Sequence, residues 1–184
     1  SAVIVRRWLD PDFSVATLPV DYQPNGPPIL SGLSYSHYTG AHFGEVIWGS
    51  QLTPETAVRD RYYFSDARKT DFSIFSKTTF DIGKKLATYI DLQGRFVNYQ
   101  TAGLTSDRIP IDIDASFNFF NPKVGFTYEI AADNRLYISY ARANREPNRN
   151  DFERGVTKNE ILDVKVKELH DFIYVSKFLQ QMKR

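Results

Sequence analysis

The chain has 184 residues, of which 15% are aromatic, and its 23 Lys and Arg nearly balance its 22 Asp and Glu. This length allows one domain with a sizeable core but not a large multidomain enzyme. The charge balance argues against a nucleic-acid partner, and the absence of Cys excludes disulfides and thiolate metal sites. No apolar run approaches the roughly 18 residues of a transmembrane helix.

The first residues do not resemble a secretory signal peptide. The apolar run from Ala2 to Val5 is interrupted at once by Arg6 and Arg7, whereas a signal peptide needs a longer apolar region. We therefore expect that a leader has been removed or that the chain is a piece of a longer protein. Residues 1–14 follow neither a helical nor a strand period, and we interpret them as a structured loop.

Two strands joined by a tight turn are predicted next. Val15–Tyr22 alternates like a strand but contains Pro19, which has no amide hydrogen and must lie at a sheet edge or a bulge. Gln23–Pro27 includes Asn-Gly, a dipeptide typical of tight hairpin turns. A second strand is predicted from Pro28 to about Tyr38.

Between residues 39 and 70 the strand period disappears. This segment is rich in His, Tyr, Trp and Arg. A connection of this length is uncommon unless it is functional or disordered. We therefore predict a long loop at 39–70.

The clearest pattern in the sequence is a long hairpin between Asp71 and Gln100. Its strands turn at Gly83–Lys85, and their length suits a tilted strand that crosses a membrane in about 9–11 residues. One face of the second strand is apolar and the other polar, as in an outer-membrane barrel. For this hairpin alone, a soluble antiparallel sheet with one wet face is the simpler interpretation. The polar face carries Asp91, Gln93 and Arg95.

A second long loop is predicted at 101–116, where Asp and Ile residues alternate. A further hairpin follows from Lys123 to Ala141, with its turn at 131–134. Short turns thus alternate with long connections along the chain. This alternation is a property of bacterial outer-membrane barrels, although a soluble sandwich shows it less regularly.

Several stretches of residues 1–152 resemble the barrel of TonB-dependent outer-membrane receptors of the Bacteroides type. Most weight falls on Phe120-Asn121-Pro122-Lys123 at a strand start and on Asn144-Arg145-Glu146-Pro147 after the next strand. The other stretches are Val5–Asp10, His42–Trp48, Arg59–Tyr63 and Tyr140–Arg149.

The resemblance implies an all-β fold of antiparallel up-and-down hairpins that forms part of a barrel in the cell outer membrane. It implies about six of the roughly 22 strands of such a transporter, too few to close the barrel or to transport alone. The implied partners are outer-membrane lipid, the remainder of the barrel and its plug, a small-molecule nutrient, and the TonB complex, contacted through an N-terminal part that the chain lacks.

Residues 153–184 depart from this resemblance. Their apolar residues lie near helical spacing, where the family would continue with another pair of strands. We interpret this segment as a divergent tail with helical character. It is either a frameshifted or truncated end, or a docking helix.

The two predicted long loops supply the candidate ligand contacts. Tyr and Trp side chains can stack on sugars or aromatic ligands, although an aromatic belt at a membrane interface or a packed loop base explains them equally well. The candidate ligand-binding residues are His37, His42, Trp48, Tyr62, Tyr63, Asp107 and Asp112.

No motif for catalysis is present, since there is no Gly-x-Ser-x-Gly elbow, no phosphate-binding glycine loop and no Cys nucleophile. We therefore expect neither enzymatic activity nor a cofactor. The His and carboxylate residues of the two loops lack the spacing of zinc or EF-hand sites, so no metal site is expected.

The sequence thus predicts a fragment of an outer-membrane receptor whose parent binds and imports a nutrient such as a carbohydrate or a metal chelate. The alternative is a soluble β-sandwich that binds a carbohydrate or a protein partner. A barrel would place Leu86, Ile90 and Phe96 toward lipid, whereas a sandwich would bury them against a second sheet.

Overall fold

A computed structural model of the chain describes residues 2–50, 57–131, 134–152 and 167–178, and these are almost entirely β-strand. No helix among them is long and apolar enough to span a membrane. The strands are β1 (Val3–Tyr22), β2 (Ile29–Gly49), β3 (Arg61–Ile82), β4 (Leu86–Leu104), β5 (Pro110–Ala131), β6 (Asn134–Arg145) and β7 (Lys167–Phe178).

The strands form one antiparallel sheet in which each pairs with its neighbours in the chain, in the order β1 to β7. The pairing of β3 with β4 is continuous from Ile82–Leu86 to Ser65–Gly103. The register shifts at three unpaired residues: Ile47 of β2, Tyr62 of β3 and Ile130 of β5. The predicted all-β, up-and-down fold is confirmed.

Side chains alternate between two faces of this sheet, and the segment 146–152, which we call the strap, packs on one of them. We call that side the inner face and the opposite side the outer face. Between Tyr63 and Glu129 the odd-numbered residues of β3 to β5 lie on the inner face, where Ser65, Val97 and Ile111 are buried. The register shift at Tyr62 puts Arg61, which pairs with Glu45, on the outer face. Paired residues share a face, so the registers extend this assignment to β1, β2 and β6.

The outer face carries an apolar band that crosses six strands and contains no charged residue. Many of its side chains are exposed in the chain alone; Ile74 is 49% exposed and Phe96 is 47% exposed. The band consists of Ala16, Leu18, Val20 and Tyr22 (β1), Ile29, Ser31, Leu33 and Tyr35 (β2), Phe72, Ile74, Ser76, Thr78, Phe80 and Ile82 (β3), Leu86, Thr88, Ile90, Leu92, Gly94 and Phe96 (β4), Phe120, Pro122, Val124, Phe126, Tyr128 and Ile130 (β5), and Leu136, Ile138 and Tyr140 (β6).

A row of polar residues marks one end of this band, with one residue from each of five neighbouring strands. The Oγ of Ser116 donates to Oδ1 of Asn98 at 2.7 Å, and Nδ1 of His37 lies 3.4 Å from Oγ1 of Thr70. The outer face therefore changes from apolar to polar at the same level on all five strands. The row is Ser14, His37, Thr70, Asn98 and Ser116.

On the inner face, aromatic rings lie across glycines of neighbouring strands. A Cβ at Gly125 of β5 would overlap the ring of Tyr89, which lies on β4, and a Cβ at Gly32 of β2 would overlap the ring of Phe75, on β3. Glycine is needed at these two positions because the ring occupies the space of a side chain.

The structure contradicts both long loops predicted from the sequence. Residues 39–49 continue β2 and 61–70 belong to β3, so most of the predicted 39–70 loop is paired strand. The predicted 101–116 loop is likewise strand except for 105–109. The strands extend far beyond the apolar band, and in this extension the outer face is polar, so the apolar alternation that guided the prediction is lost.

Two predictions about the ends of the chain were also wrong. Residues 3–14 belong to β1 and are not a loop, although Pro19 does lie on an edge strand, as predicted. The predicted helical tail contains strand β7, which pairs with β6, so the described residues contain seven strands where about six were expected. The rest of that tail, 153–166 and 179–184, lies outside the described residues.

Candidate functional site

The strap leaves the end of β6 and is anchored on the inner face by Glu146. The Nη1 of Arg95 donates to Oε2 of Glu146 at 2.9 Å, and Lys69 donates to Oε1 of the same carboxylate. Arg95 also donates through Nε to Oδ2 of Asp71 at 2.9 Å. Two cations and two carboxylates thus form a neutral network between β3, β4 and the strap.

Electrostatics favour the ionised form of Glu146. Burial by itself raises the pKa of this carboxyl, but the hydrogen bond from Lys69 and the positive charges of Lys69 and Arg95 lower its pKa below the ordinary value. Glu146 is therefore a carboxylate in this network, and its charge holds the strap to the sheet.

Arg149 and Phe152 fix the other end of the strap. Nη2 of Arg149 donates to Oγ of Ser65 at 2.8 Å, and Nη1 donates to Oγ1 of Thr101 at 3.3 Å. Phe152 is 4% exposed and packs with Ile111 and with Ile113 of β5. The strap therefore contacts β3, β4 and β5 together.

Local hydrogen bonds shape the strap before it contacts the sheet. Residues 149–152 form one helical turn, and the amide of Asp151 donates to Oδ1 of Asn148 at 2.9 Å. In return, the amide of Asn148 donates to Oδ2 of Asp151 at 2.9 Å. This reciprocal pair acts as a capping box and points Arg149 and Phe152 toward the inner face.

A second cluster lies at the far end of the inner face, beyond the strap. The side chain of Tyr62 is the main cause that raises the pKa of Arg7 on β1, and Asp107 in the turn after β4 adds a smaller electrostatic effect, so these groups lie near one another. Tyr62 and Tyr63 meet edge to face, with ring centroids 5.0 Å apart, and both rings lie over Gly44 of β2. We call Arg7, Tyr62, Tyr63 and Asp107 the tip cluster.

The structure brings only some of the predicted ligand residues together. Tyr62 and Tyr63 meet in the tip cluster, Asp107 lies within electrostatic range of its Arg7, and His42 lies on the inner face opposite Ser65. His37 and Asp112 lie on the outer face instead. They cannot contact the same small ligand as the tip cluster, because the sheet separates them.

The last predicted residue, Trp48, lies near the end of β2 and is 50% exposed. It precedes 51–56, which lie outside the described residues. Among the described residues, no three His, Cys, Asp or Glu side chains are grouped to hold a metal ion.

Beyond the polar row, the outer face carries a shallow furrow of about 590 Å³. Small residues, Ala41 and Ala102 among them, form its floor, because their side chains leave space between longer neighbours. The furrow is acidic, since Arg68 is the only cation among its lining residues. The carboxylates that line it are Asp10, Asp12, Asp66, Asp112 and Asp114.

Sequence reasoning missed the strap as a functional element. Glu146 and Arg149 belong to the Asn144–Arg149 stretch that carried much of the family resemblance, but their contacts depend on strands far away in the sequence. A signal was present in Asn148 and Asp151, which lie at the spacing of a capping box. That spacing predicts a helical turn but not the surface on which the turn packs.

The comparisons with known proteins agree with this architecture. The family model described as TonB dependent receptor-like, beta-barrel matches residues 7–159, a range that includes β1 to β6 and the strap. No curated protein matches the chain. The members of this family are transporters of the outer membrane and not enzymes. The chain belongs to the TonB-dependent receptor β-barrel family.

Proposed function

We propose that this chain forms one wall of an outer-membrane receptor whose complete barrel binds a nutrient and imports it. The apolar band carries this proposal. On β3 it extends from Phe72 to Ile82 and on β4 from Leu86 to Phe96, lengths that suit strands crossing a bilayer in about 9–11 residues. The opposite face is polar at the same level, with Asp91 and Gln93, as a barrel lumen requires.

The edges of the sheet support the same interpretation. β1 is exposed along its whole length and has no second partner strand among the described residues. A long strand with unpaired backbone groups is prone to aggregation unless another strand covers it, and closing a barrel removes such edges. In this proposal further strands of the receptor pair with β1 and β7, and the plug fills the lumen beside the inner face.

We infer that nutrient contact belongs to the tip cluster. It lies on the lumen side, beyond the strap, and combines two aromatic rings with a guanidinium and a carboxylate from Arg7 and Asp107. These groups suit a hydroxyl-rich or anionic ligand, such as a carbohydrate or a metal chelate. His42 remains a proposed contact, whereas His37, Asp112 and Trp48, which pairs with Ile4, lie on the outer face and do not. Neither a cofactor nor catalysis enters this proposal.

The rival proposal, a soluble β-sandwich, has no observation in its favour. The described strands form one sheet, and within the described residues no second sheet covers the outer face. In a water-soluble protein the apolar band would remain a large exposed patch.

Uptake by cells that carry the full-length receptor tests the proposal. Deleting the receptor should abolish growth on one nutrient from a panel of glycans and metal chelates, and the wild-type gene should restore it. Tyr62→Ala and Arg7→Ala should lower uptake at least several-fold at equal amounts of folded protein in the outer-membrane fraction. Tyr128→Ala, which changes the outer face at the other end of the strands, serves as the matched control.

Two results would contradict this proposal. If the receptor fractionates as a water-soluble monomer, the membrane assignment is wrong. If the two tip variants and the control import the nutrient equally well, the ligand does not contact the tip cluster.

A further inference from the structure

Above the acidic furrow, the outer face ends in a cluster of two arginines and three aromatic rings. The guanidinium of Arg6 lies 4.0 Å from the ring centroid of Trp8, and Trp8 stacks on Phe43 at 6.5 Å. The guanidinium of Arg61 lies 4.1 Å from the ring of Phe43 and 5.4 Å from that of Phe64. We call these five residues the arginine ladder.

The arginine ladder lies well beyond the apolar band but on the same face. From Ala16, the last band residue of β1, to Trp8 the strand advances roughly 25 Å at about 3.3 Å per residue. With a barrel strand's tilt of about 40°, this is roughly 20 Å above the band. Lipid phosphates lie at the membrane boundary, too far below the arginine ladder to contact it. A saccharide chain that extends from a lipid can span this distance.

The free groups of the ladder suit an anion. Each guanidinium lies with one face over a ring, Arg6 over Trp8 and Arg61 over Phe43, and the N–H groups in the guanidinium plane are hydrogen-bond donors. Nη2 of Arg6 forms an ion pair with Oε2 of Glu45 at 3.1 Å, and the side chain of Arg6 is 49% exposed. Arg61 has no carboxylate within 4.0 Å among the described residues, and its planar fork can bind a phosphate or carboxylate in a bidentate manner.

We propose that the arginine ladder binds an anionic saccharide, phosphorylated or carboxylated, carried by the glycolipid that surrounds the barrel. The glycolipid is the source because the ladder faces away from the lumen, on the side of the lipid-facing band. Stacking on Phe43 holds the guanidinium of Arg61 in place, and so lowers the entropy lost when the anion binds.

The acidic furrow sets the position of the anion. Its carboxylates, Asp10 and Asp66 nearest to the ladder, repel an anion placed directly on them. Screening over a Debye length of about 8 Å at physiological salt weakens this repulsion at the level of Arg61. The anion is therefore expected beside the two arginines and not inside the furrow.

This inference rests on the proposed membrane location, so the test measures membrane insertion separately. The full-length receptor is reconstituted with lipopolysaccharide that carries a phosphorylated core saccharide, and in parallel with a truncated form that lacks the core. Native mass spectrometry measures the retained lipopolysaccharide, and the mobility shift on heating measures the folded barrel. Arg61→Ala, Arg61→Lys and the charge-matched control Lys84→Ala, in the turn at the opposite end of β3, are compared with the wild type.

We expect Arg61→Ala to lower retention of the complete form about fivefold, which corresponds to roughly 1 kcal/mol for one charged contact. Arg61→Lys should restore part of the loss, and Lys84→Ala should retain wild-type binding.

Equal retention by Arg61→Ala and the wild type overturns the proposal. So does equal retention of the complete and truncated forms, because the contact then lies at the lipid. A receptor that fails to fold into membranes contradicts the proposed function instead.

Discussion

Phe152 of the strap stacks on Tyr99 of β4, with ring centroids 5.3 Å apart and ring planes inclined by only 10°. This contact joins two residues that lie far apart in the sequence. It covers the inner face where that face is apolar, at Ile111 and Ile113, and so removes from water a patch that would otherwise line a polar lumen.

The first prediction concerns this contact. Phe152→Ala should destabilise the folded barrel by about 3–5 kcal/mol, because it removes a buried ring and leaves a cavity. The temperature at which the barrel loses its heat-resistant mobility measures the effect. Phe64→Ala is the control, since Phe64 is 36% exposed and lies on the outer face beyond the apolar band, away from the lumen and from the edge strands. Equal losses in both variants would show that Phe152 is not a core residue.

The second prediction concerns pH and Glu146. Its pKa is lowered in the folded state, so its contribution to stability is complete above the ordinary value of 4.5 and is lost as the pH falls through the lowered folded value. Glu146→Gln should destabilise the barrel at neutral pH and reduce the loss of stability on acidification. Unfolding of both proteins in detergent between pH 7 and pH 3 tests this expectation, which fails if the two curves remain parallel.

A third prediction concerns the ring that covers Gly125. Gly125→Ala should lower stability by about 1–3 kcal/mol, because the new methyl group overlaps the ring of Tyr89. Tyr89→Ala, combined with it, should remove this overlap, so the double variant should be more stable than the sum of the two single effects. Gly26→Ala is the control, since a Cβ there meets no atom within 4 Å.

The fourth prediction compares two adjacent residues of β4. Leu92 lies in the apolar band and Gln93 on the polar inner face. Leu92→Arg should impair insertion by about 2–4 kcal/mol, the cost of a cation near the middle of the bilayer. Gln93→Arg should insert almost normally, because that face meets water. Equal insertion of the two variants would contradict the assignment of the faces.

The sequence predicts the fold best along the apolar band, where apolar and polar residues alternate in each strand. Between Phe72 and Phe96 the apolar and polar residues alternate on opposite faces, and the predicted hairpin agrees with the observed one in its turn and in the faces of its strands. The family resemblance supplied the all-β barrel class, which the match over residues 7–159 confirms.

The upper halves of the strands were missed for a physical reason. At Asp112 and Asp114 the outer face is polar, while Ile111 and Ile113 on the inner face are buried by the strap. The alternation is present but inverted, and without knowledge of the strap it looks like an acidic loop. The predicted ligand residues lie on both faces for the same reason: Trp48 and Tyr62, assigned to one loop, belong to opposite faces of paired strands.

The contacts of the strap bear on how the strands find their alignment. A strand that slips by two residues keeps every side chain on its original face, so the apolar band alone scarcely distinguishes the correct alignment from this error. Such a slip moves Arg95, Tyr99 and Thr101 by about 7 Å, away from Glu146, Phe152 and Arg149 together. Because the strap follows β6, it can make these three contacts only after β3, β4 and β5 have paired correctly, and it thereby acts as a late check on strand alignment during assembly.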